Sequence, residues 1–461
     1  MKLKTLLKFG ATLAACLPFL SLPSLNADPS KPMNVVLIVA DDWRFDTLSA
    51  MGHPIVKTPS LDKLASEGVL FEHGYVTTSI CGVSRASILT GQWMSRHKNF
   101  GFEMFETDWE DTFYGIMADR GYYTGYVGKW HCGQFPANKF DYSNVPAKRH
   151  WVGDGKGGEI HITERNLRNT KTFFEKKPAD KPFLLSVNFL APHSWDNNPK
   201  QYLPQPRSMS LYADDTIPRT ELHSEAAFKK LPEFLQNDKT VARYRYRLRF
   251  DTPEKYQEMM KNYYRLCTEV DEACGAIVEY LRATGELENT LIIFIGDNGY
   301  FHAERGLAGK WYPYQNSIRV PLIIRDPRLP DSSRGMRNED IVLNVDVAPT
   351  ILSAVDLPVP SVVQGKDLAP LYLNPEGDHN WRTEFFYEHE TRKGMSFIPG
   401  AQSVVSKYFK YNLWPEADDY EQLFDLREDP MELNNLAKDR QHEAALAKTR
   451  ELLEQLREAA Q

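Results

Sequence analysis

Four apolar runs along the chain each end on a polar or charged cluster. Val35 to Ala40 (VVLIVA) runs into Asp41-Asp42, and Thr124 to Val127 runs into Gly128-Lys129-Trp130-His131. Phe183 to Ala191 (FLLSVNFLA) runs into Pro192-His193, and Leu291 to Ile295 (LIIFI) into Gly296-Asp297-Asn298. Runs of this kind suit strands buried on both faces of a mainly parallel sheet. Helical segments lie between them, at Leu61 to Glu67, Ser84 to Thr90 and Thr252 to Thr284. In the last, Tyr256, Met260, Tyr263, Cys267, Val270, Cys274, Ile277 and Leu281 recur at alternating helical spacings and form one apolar stripe. Thr252 and Pro253 suit the N-cap and first position, and Gly285 the stop. The alternation predicts an α/β domain with a mainly parallel central sheet and helices on both faces.

The pattern changes from about Asp367. Glu384 to Tyr387, Gln402 to Ser406 and Tyr408 to Leu413 read as short antiparallel strands, and an Ala/Leu/Glu-rich helix from about Asp439 to Ala460 closes the chain. Residues 367–461 are therefore expected to form a smaller α+β subdomain after a main domain at 28–366. The stretch from Ser194 to Phe250 has little periodicity and many Pro, Arg and Asp residues, which suits excursions around a pocket. The first 27 residues read as a signal peptide: Lys2, Lys4 and Lys8 lead, an apolar stretch follows, and Leu25-Asn26-Ala27 offers a cleavage site. Export to a periplasm or secretion is the expectation. Leu13-Ala14-Ala15-Cys16 also resembles a lipobox, which would make a lipoprotein through Cys16. No other segment is long and apolar enough for a membrane span.

Composition narrows the function. The formal net charge of −7 argues against a general nucleic-acid binder. Cleavage after Ala27 would remove three lysines and no acids and take that charge to −10. An anionic substrate remains compatible, because a local cationic pocket can sit in an acidic protein. The five cysteines are too few for a disulfide scaffold. Cys267 and Cys274 lie on the helical stripe and read as core residues, whereas Cys81 has quite different surroundings.

The polar ends of the four apolar runs carry the chemistry. Open α/β sheets place their sites beyond the carboxyl ends of the strands. Asp41, Asp42, Asp297 and Asn298 make an oxygen-rich set suited to a hard divalent cation, and no Cys/His spacing suggests zinc. Singly, each pair is more often a helix cap or a turn; two pairs at the ends of two buried strands favour a metal. In Cys81-Gly82-Val83-Ser84-Arg85-Ala86-Ser87 the cysteine precedes an apolar helix, so unpaired N–H groups and the positive helix end would face a tetrahedral oxyanion. Arg85 is placed to add a guanidinium clamp. From spacing alone, a thiol nucleophile and a structural cysteine are comparably supported. Lys129, His131, His193 and Lys310 complete a cationic lining able to neutralise non-bridging oxygens and supply a proton to a leaving alkoxide. The residues themselves point to metal-assisted hydrolysis of an anionic ester.

From about Asn34 to Leu436 the chain resembles the type I sulfatases of the alkaline phosphatase superfamily. The resemblance is carried, in order, by NVVLIVADDWRFDTL, TPSLDKLASEGVLFEHGYV, CGVSRASILTG, GKWHCG, APH, DNGY followed by GLAGKW, SIRVPLIIRDPR and FDLREDPMELNNL. It implies an alkaline phosphatase-like fold and sulfate ester hydrolysis, with sulfated carbohydrates as substrate. It further implies that a maturation enzyme oxidises Cys81 to formylglycine, whose hydrated aldehyde attacks sulfur with one oxygen and eliminates sulfate with the other. The implied metal ligands are Asp41, Asp42, Asp297, Asn298 and residue 81, around one Ca²⁺, with Mg²⁺ second. Arg85 would hold the formylglycine, while Lys129, His131, His193 and Lys310 would bind sulfate and protonate the leaving group.

Two positions depart from the family pattern. Val83 stands where the motif has Pro, Ala or Ser, a position that maturation enzymes read. Glu304-Arg305-Gly306 stands where many relatives have Glu-His-Gly; Arg305 is expected at the surface, the other reading being a contact with an anionic substrate. Two further functions share the pattern. One is a phosphodiester or phosphonate ester hydrolase using the same formylglycine. The other is an unconverted, inactive relative that binds sulfated glycan.

Overall fold

A computed structural model describes residues 31–392 and 397–461. The signal sequence and Cys16 lie outside the described residues. An eight-stranded sheet is built from β1 (Asn34–Asp41), β2 (Val69–Tyr75), β3 (Tyr123–Gly128), β4 (Tyr142–Asn144), β7 (Phe183–Pro192), β8 (Thr290–Gly296), β11 (Leu322–Arg325) and β12 (Met336–Leu343). Two short ribbons, β5–β6 (Trp151–Gly153, Glu159–His161) and β9–β10 (Phe301–His302, Ala308–Gly309), lie outside it. Its strand order is β12-β2-β11-β8-β1-β7-β3-β4. Only β11 runs antiparallel to its neighbours, β2 and β8. The sheet is thus mainly parallel, as the apolar runs predict.

Alternation along β1 shows why both faces are covered. Val36, Ile38 and Ala40 pack with Leu61 and Leu64 of the helix Pro59–Glu67, Phe173 of Ile162–Lys176, and Cys267 and Cys274 of Pro253–Ala283. Val35, Leu37 and Val39 face the other way, onto Ala86, Ile88 and Leu89 of Cys81–Thr90, Met117 of Phe113–Asp119, and Ile351 of Val347–Ala354. A strand between two helical layers has no polar face, so its sequence reads as one continuous apolar run. The helix Pro253–Ala283 has 31 residues, Thr252 accepts from the Lys255 N–H, and Gly285 follows at φ +72°. Cys267 and Cys274 are core residues, and among the described residues every cysteine is free.

The C-terminal region forms an antiparallel sheet, β13 (Glu384–His389), β14 (Ala401–Ser406), β15 (Phe409–Trp414) and β16 (Tyr420–Asp425). The fourth strand, YEQLFD, exceeds the three expected. Phe386, Val404, Tyr411 and Leu423 face Leu446 and Leu453 of the closing helix Glu443–Ala460. Phe385, Tyr387 and Val405 face Tyr75, Ile341 and Leu343 at the end of the main sheet. Leu368, Leu371 and Tyr372 still belong to the core of the main domain.

Candidate active site

The strands β8, β1, β7 and β3 are consecutive neighbours and mutually parallel. Their carboxyl ends therefore lie side by side, which delivers Asp41-Asp42, Lys129 and His131, His193 and Asp297-Asn298 to one end of the sheet. Lys310 arrives just after the β9–β10 ribbon. Cys81 is the first residue of the helix Cys81–Thr90, one turn before Arg85. A Cβ on Gly82 would sit 2.3 Å from the Gly101 carbonyl and 2.6 Å from that of His131, so only glycine lets this helix start abut the His131 segment. Asp42, His131 and Trp311 have φ of 60°, 74° and 84°. Left-handed non-glycine backbone of this kind costs on the order of 1–3 kcal/mol per residue and gathers at functional sites.

Polar contacts join eight of the ten predicted residues into one network, and the Cys81–His131 pair meets it across the cavity. Asp41 Oδ2 accepts from Lys129 Nζ, and Asp42 Oδ1 accepts from Lys310 Nζ and, at 2.6 Å, from Asn298 Nδ2. The Asp42 N–H donates to Asp297 Oδ1 at 3.2 Å. Arg85 Nε donates to Asp297 Oδ2 at 2.8 Å, and its Nη1 to the Lys129 carbonyl at 2.8 Å and Asn188 Oδ1 at 3.0 Å. His193 Nε2 lies 3.6 Å from Asp42 Oδ2, and His131 Nδ1 lies 3.1 Å from Cys81 Sγ. Cys81, Lys129, His131, His193 and Lys310 line a cavity of about 340 Å³. Asp41, Asp42, Asp297, Asn298 and Arg85 are buried behind that lining.

Burial and charge set the protonation states. Burial pushes the Asp41 carboxyl up, but Lys129, His193, Lys310 and Arg85 together hold it well below its usual range. For Asp297, burial and the neighbouring Asp41 charge win over the same cations, and its affinity for a proton rises. Two carboxylates confined to one site are split in this way when they do not ionise equally. Burial pulls Lys310 down, yet Asp42, Cys81 and Asp41 raise it above its ordinary value, so it stays an ammonium. Burial keeps His131 and His193 neutral at pH 7, in His131 with help from Lys129 and Lys148. Burial also raises the Cys81 thiol, against Lys129 and Lys310. An unmodified thiol here is a poor thiolate.

The donor set fits a hard cation. Asp41 Oδ1, Asp42 Oδ2 and Asn298 Oδ1 are buried and accept no hydrogen bond, as is Arg85 Nη2 with no acceptor. An orphaned buried oxygen costs about 1–3 kcal/mol, and three within one bonded cluster ask for a shared positive partner. Asp41, Asp42 and His193 also bring one ligand atom each to within 4.8 Å of one another. Asp297 is engaged through both oxygens, by the Asp42 N–H and by Arg85.

Several lining residues escape sequence reasoning. Lys148, Trp195, Asp196, Asn197, Arg245 and Trp311 surround the same cavity. Asp196 bridges Arg245 and the buried Arg249, each at 2.7 Å. These residues come from the aperiodic stretch and from loops, where no pattern marks them. Asn188 had a signal: it is polar inside the apolar run FLLSVNFLA. Arg305 is neither at the surface nor in the cavity. It is buried, donates to the carbonyls of Met431 and, at 2.9 Å, Glu432, and its guanidinium carbon stands 4.6 Å above the Tyr314 ring. Arg305 thereby fastens the Glu304–Gly306 turn to the C-terminal region.

This layered α/β fold, with charged side chains gathered at the ends of its parallel strands, is shared with known proteins. The family model described as Sulfatase matches residues 33–357, and that described as N-sulphoglucosamine sulphohydrolase, C-terminal, matches residues 303–459. The chain belongs to the sulfatase family, whose members are sulfuric ester hydrolases. It is 28% identical to an N-acetylglucosamine-6-O-sulfatase of Bacteroides thetaiotaomicron, over 92% of this chain and 86% of that one. It is 25% identical to the human N-sulphoglucosamine sulphohydrolase, over 83% and 73%. A solved structure of a protein in complex with its substrate D-glucosamine-2-N,6-O-disulfate superimposes with a TM-score of 0.78, at 25% identity over 93% of this chain and 98% of that one. The phosphonate monoester hydrolase of Agrobacterium radiobacter shares the fold, with a TM-score of 0.78 at 23% identity over 94% and 96%.

Proposed function

We propose that this sulfatase removes sulfate from sulfated carbohydrates, using a formylglycine made from Cys81 by a maturation enzyme, and that it works after export. The observation that carries the reading is the set of three orphaned oxygens, on Asp41, Asp42 and Asn298, behind a cavity walled by Cys81, Lys129, His131, His193 and Lys310. The relatives named for N-acetylglucosamine and N-sulphoglucosamine support a glycan substrate. Among the described residues no helix is long and apolar enough to cross a membrane. The lysine-led N-terminal sequence supports export, with Cys16 as the alternative lipid anchor. On this reading the catalytic domain spans 28–366 and the subdomain 367–461, although Leu368, Leu371 and Tyr372 pack in the core of the main sheet.

Asp41, Asp42, Asp297, Asn298 and residue 81 would hold one Ca²⁺, favoured over Mg²⁺ because an irregular oxygen shell suits the larger ion. The ion would supply positive charge to the nucleophilic oxygen and to the sulfuryl group. The hydrated aldehyde of formylglycine would supply the attacking oxygen and a second oxygen for releasing sulfate. Arg85 fixes Asp297 and keeps Nη2 free for an oxygen on residue 81. Lys129 and Lys310 present ammonium groups to the non-bridging sulfate oxygens. His131, neutral and 3.1 Å from the residue 81 side chain, is placed to take a proton there. Lys310, held protonated, supplies the proton for the leaving alkoxide, and His193 orients the ester from the neighbouring end of β7.

The test is sulfate release from defined sulfated oligosaccharides, beside phosphodiester and phosphonate panels, by enzyme co-expressed with a maturation partner. Sulfate release from a glycan, abolished in Cys81→Ala with the fold intact, is expected. Phosphodiester turnover without any sulfate release would transfer the assignment to the alternative chemistry. Binding of sulfated glycan with no hydrolysis of any ester would make the protein an inactive relative.

A further inference from the structure

A second cavity, of about 210 Å³, lies against the first, and the two share Phe102, Lys129, His131 and Lys148 as a common wall. Its remaining lining is mostly apolar, including Phe135, Val145 and Pro146. It is smaller than the roughly 300–1,000 Å³ of ordinary ligand pockets, so it suits one ring rather than an extended chain. Phe102 is 46% exposed, and its ring stacks on His131 at 4.3 Å and 16°. The Arg392 guanidinium stands over the same ring, 5.0 Å from its centre, so Phe102 offers an exposed apolar edge beside the residue that touches Cys81. Such an edge suits the C–H surface of a sugar ring.

Lys148 stands on the partition between the cavities. It is exposed at the rim and, among the described residues, makes no ion pair or hydrogen bond to an acid. Lys129 and Arg85 nearby carry its own sign, while the opposing Asp41 carboxylate is already paired with Lys129. Partial burial, and then Lys129, push its ammonium below the ordinary lysine range. A half-exposed cation with no acid paired directly to it is open to an arriving anion. Lys148 helps to keep His131 neutral, but Lys129 and Lys310 already face the sulfuryl group and leave its ammonium without a substrate contact.

We propose that the second cavity is a subsite for the part of the glycan next to the scissile sulfate, and that Lys148 reads a second anionic substituent on it, a sulfate or a carboxylate. This deepens the sulfatase reading and rests on it for the position of the scissile ester. The enzyme would then prefer glycans carrying two negative charges on one sugar or on adjacent sugars. The preference would arise in ground-state binding, because Lys148 touches no reacting atom.

The experiment compares three disaccharides that share one sulfate: one without a further charge, one with a second sulfate, and one with a uronate. Binding to the Cys81→Ala protein is measured by calorimetry, and sulfate release is measured with the matured enzyme. Lys148→Ala is expected to weaken binding, and raise KM, by about tenfold for the doubly charged sugars and by less than about twofold for the singly charged one, with any change in kcat common to all three sugars. Lys148→Arg should restore the preference. Val145→Asp, which adds an acid to the second cavity, should selectively weaken the doubly charged ligands. The uronate and disulfate arms tell which anion is read. Equal losses for all three sugars, or no loss for any, would overturn the proposal. The calorimetric arm does not need turnover: Lys148-dependent binding without sulfate release would refute the hydrolase and leave the subsite standing.

Discussion

Arg85→Leu tests the buried scaffold of the site in isolation. The Arg85 guanidinium and Asp297 are 3% and 0% exposed, and Nε lies 2.8 Å from Oδ2. Removing one partner of such a pair strands the other charge in a dry site, which costs on the order of 3–5 kcal/mol. The Lys129 carbonyl and Asn188 Oδ1 lose the same donor, at about 1–3 kcal/mol each if left unsatisfied. These losses share one side chain and do not add fully, so about 5 kcal/mol is expected for Arg85→Leu. That is a large share of the ~5–15 kcal/mol that holds a domain folded. Asp297→Asn strands the guanidinium and should cost ~3 kcal/mol or more. The double variant leaves neither charge unpaired, so the two losses should fall short of additive by at least about 2 kcal/mol. Urea unfolding in the presence of a chelator reads this cycle without the contribution of a bound ion. A coupling below about 0.5 kcal/mol would refute the argument, since it would mean that the two side chains do not share a buried contact.

Other perturbations probe separate parts of the account. Asp42→Ala should abolish stoichiometric divalent metal and lower kcat/KM by more than about 100-fold, the upper end of what changes beyond the ligands themselves cost; atomic absorption showing a full ion in this variant would remove Asp42 from the ligand set. Arg305→Met should destabilise the protein by about 3 kcal/mol, through two lost charge-assisted hydrogen bonds and a cation over Tyr314; an unchanged urea midpoint would contradict that bracing role. Asp271 takes the Ser60 and Leu61 N–H groups at 3.1 and 2.7 Å, and burial raises its pKa to about 6. A carboxyl raised in the folded state contributes stability that is complete below its unfolded value near pH 4 and disappears as pH climbs through about 6. The stability of Asp271→Asn relative to wild type should therefore improve by up to about 3 kcal/mol between pH 4 and pH 8, and a pH-independent difference would show that the group ionises normally.

The sequence displays its buried parallel strands because both faces of each must be apolar, so VVLIVA and LIIFI stand out, and their polar ends mark Asp41, Asp42, Asp297 and Asn298 as neighbours. The rest of the sheet is less legible. The strand Val69–Tyr75 carries Glu72 and His73, partly exposed, in its second half. Met336–Leu343 is an edge strand whose first five residues are not buried, so its apolar signal is confined to Ile341, Val342 and Leu343. Leu322–Arg325 has only four residues. In the site, strand ends are predictable from one-dimensional pattern, but Lys148 and Asp196 reach the cavity from irregular segments, which carry no period, and Arg245 from the short helix Val241–Arg249, which buries only Val241, Ala242 and Arg249. Arg305 misleads because a charged residue in a polar turn reads as surface; here the turn is covered by the C-terminal region, whose carbonyls compensate the charge.

The central claim is that residue 81, oxidised from cysteine, is the group that attacks the sulfate ester. Peptide mass spectrometry of residue 81 across enzyme batches matured to different extents, set against their rates of sulfate release, tests it most directly. The account predicts activity proportional to the fraction of residue 81 carrying a formyl group and none from the pure thiol form. Full sulfate release by protein whose residue 81 is entirely unmodified cysteine would contradict it.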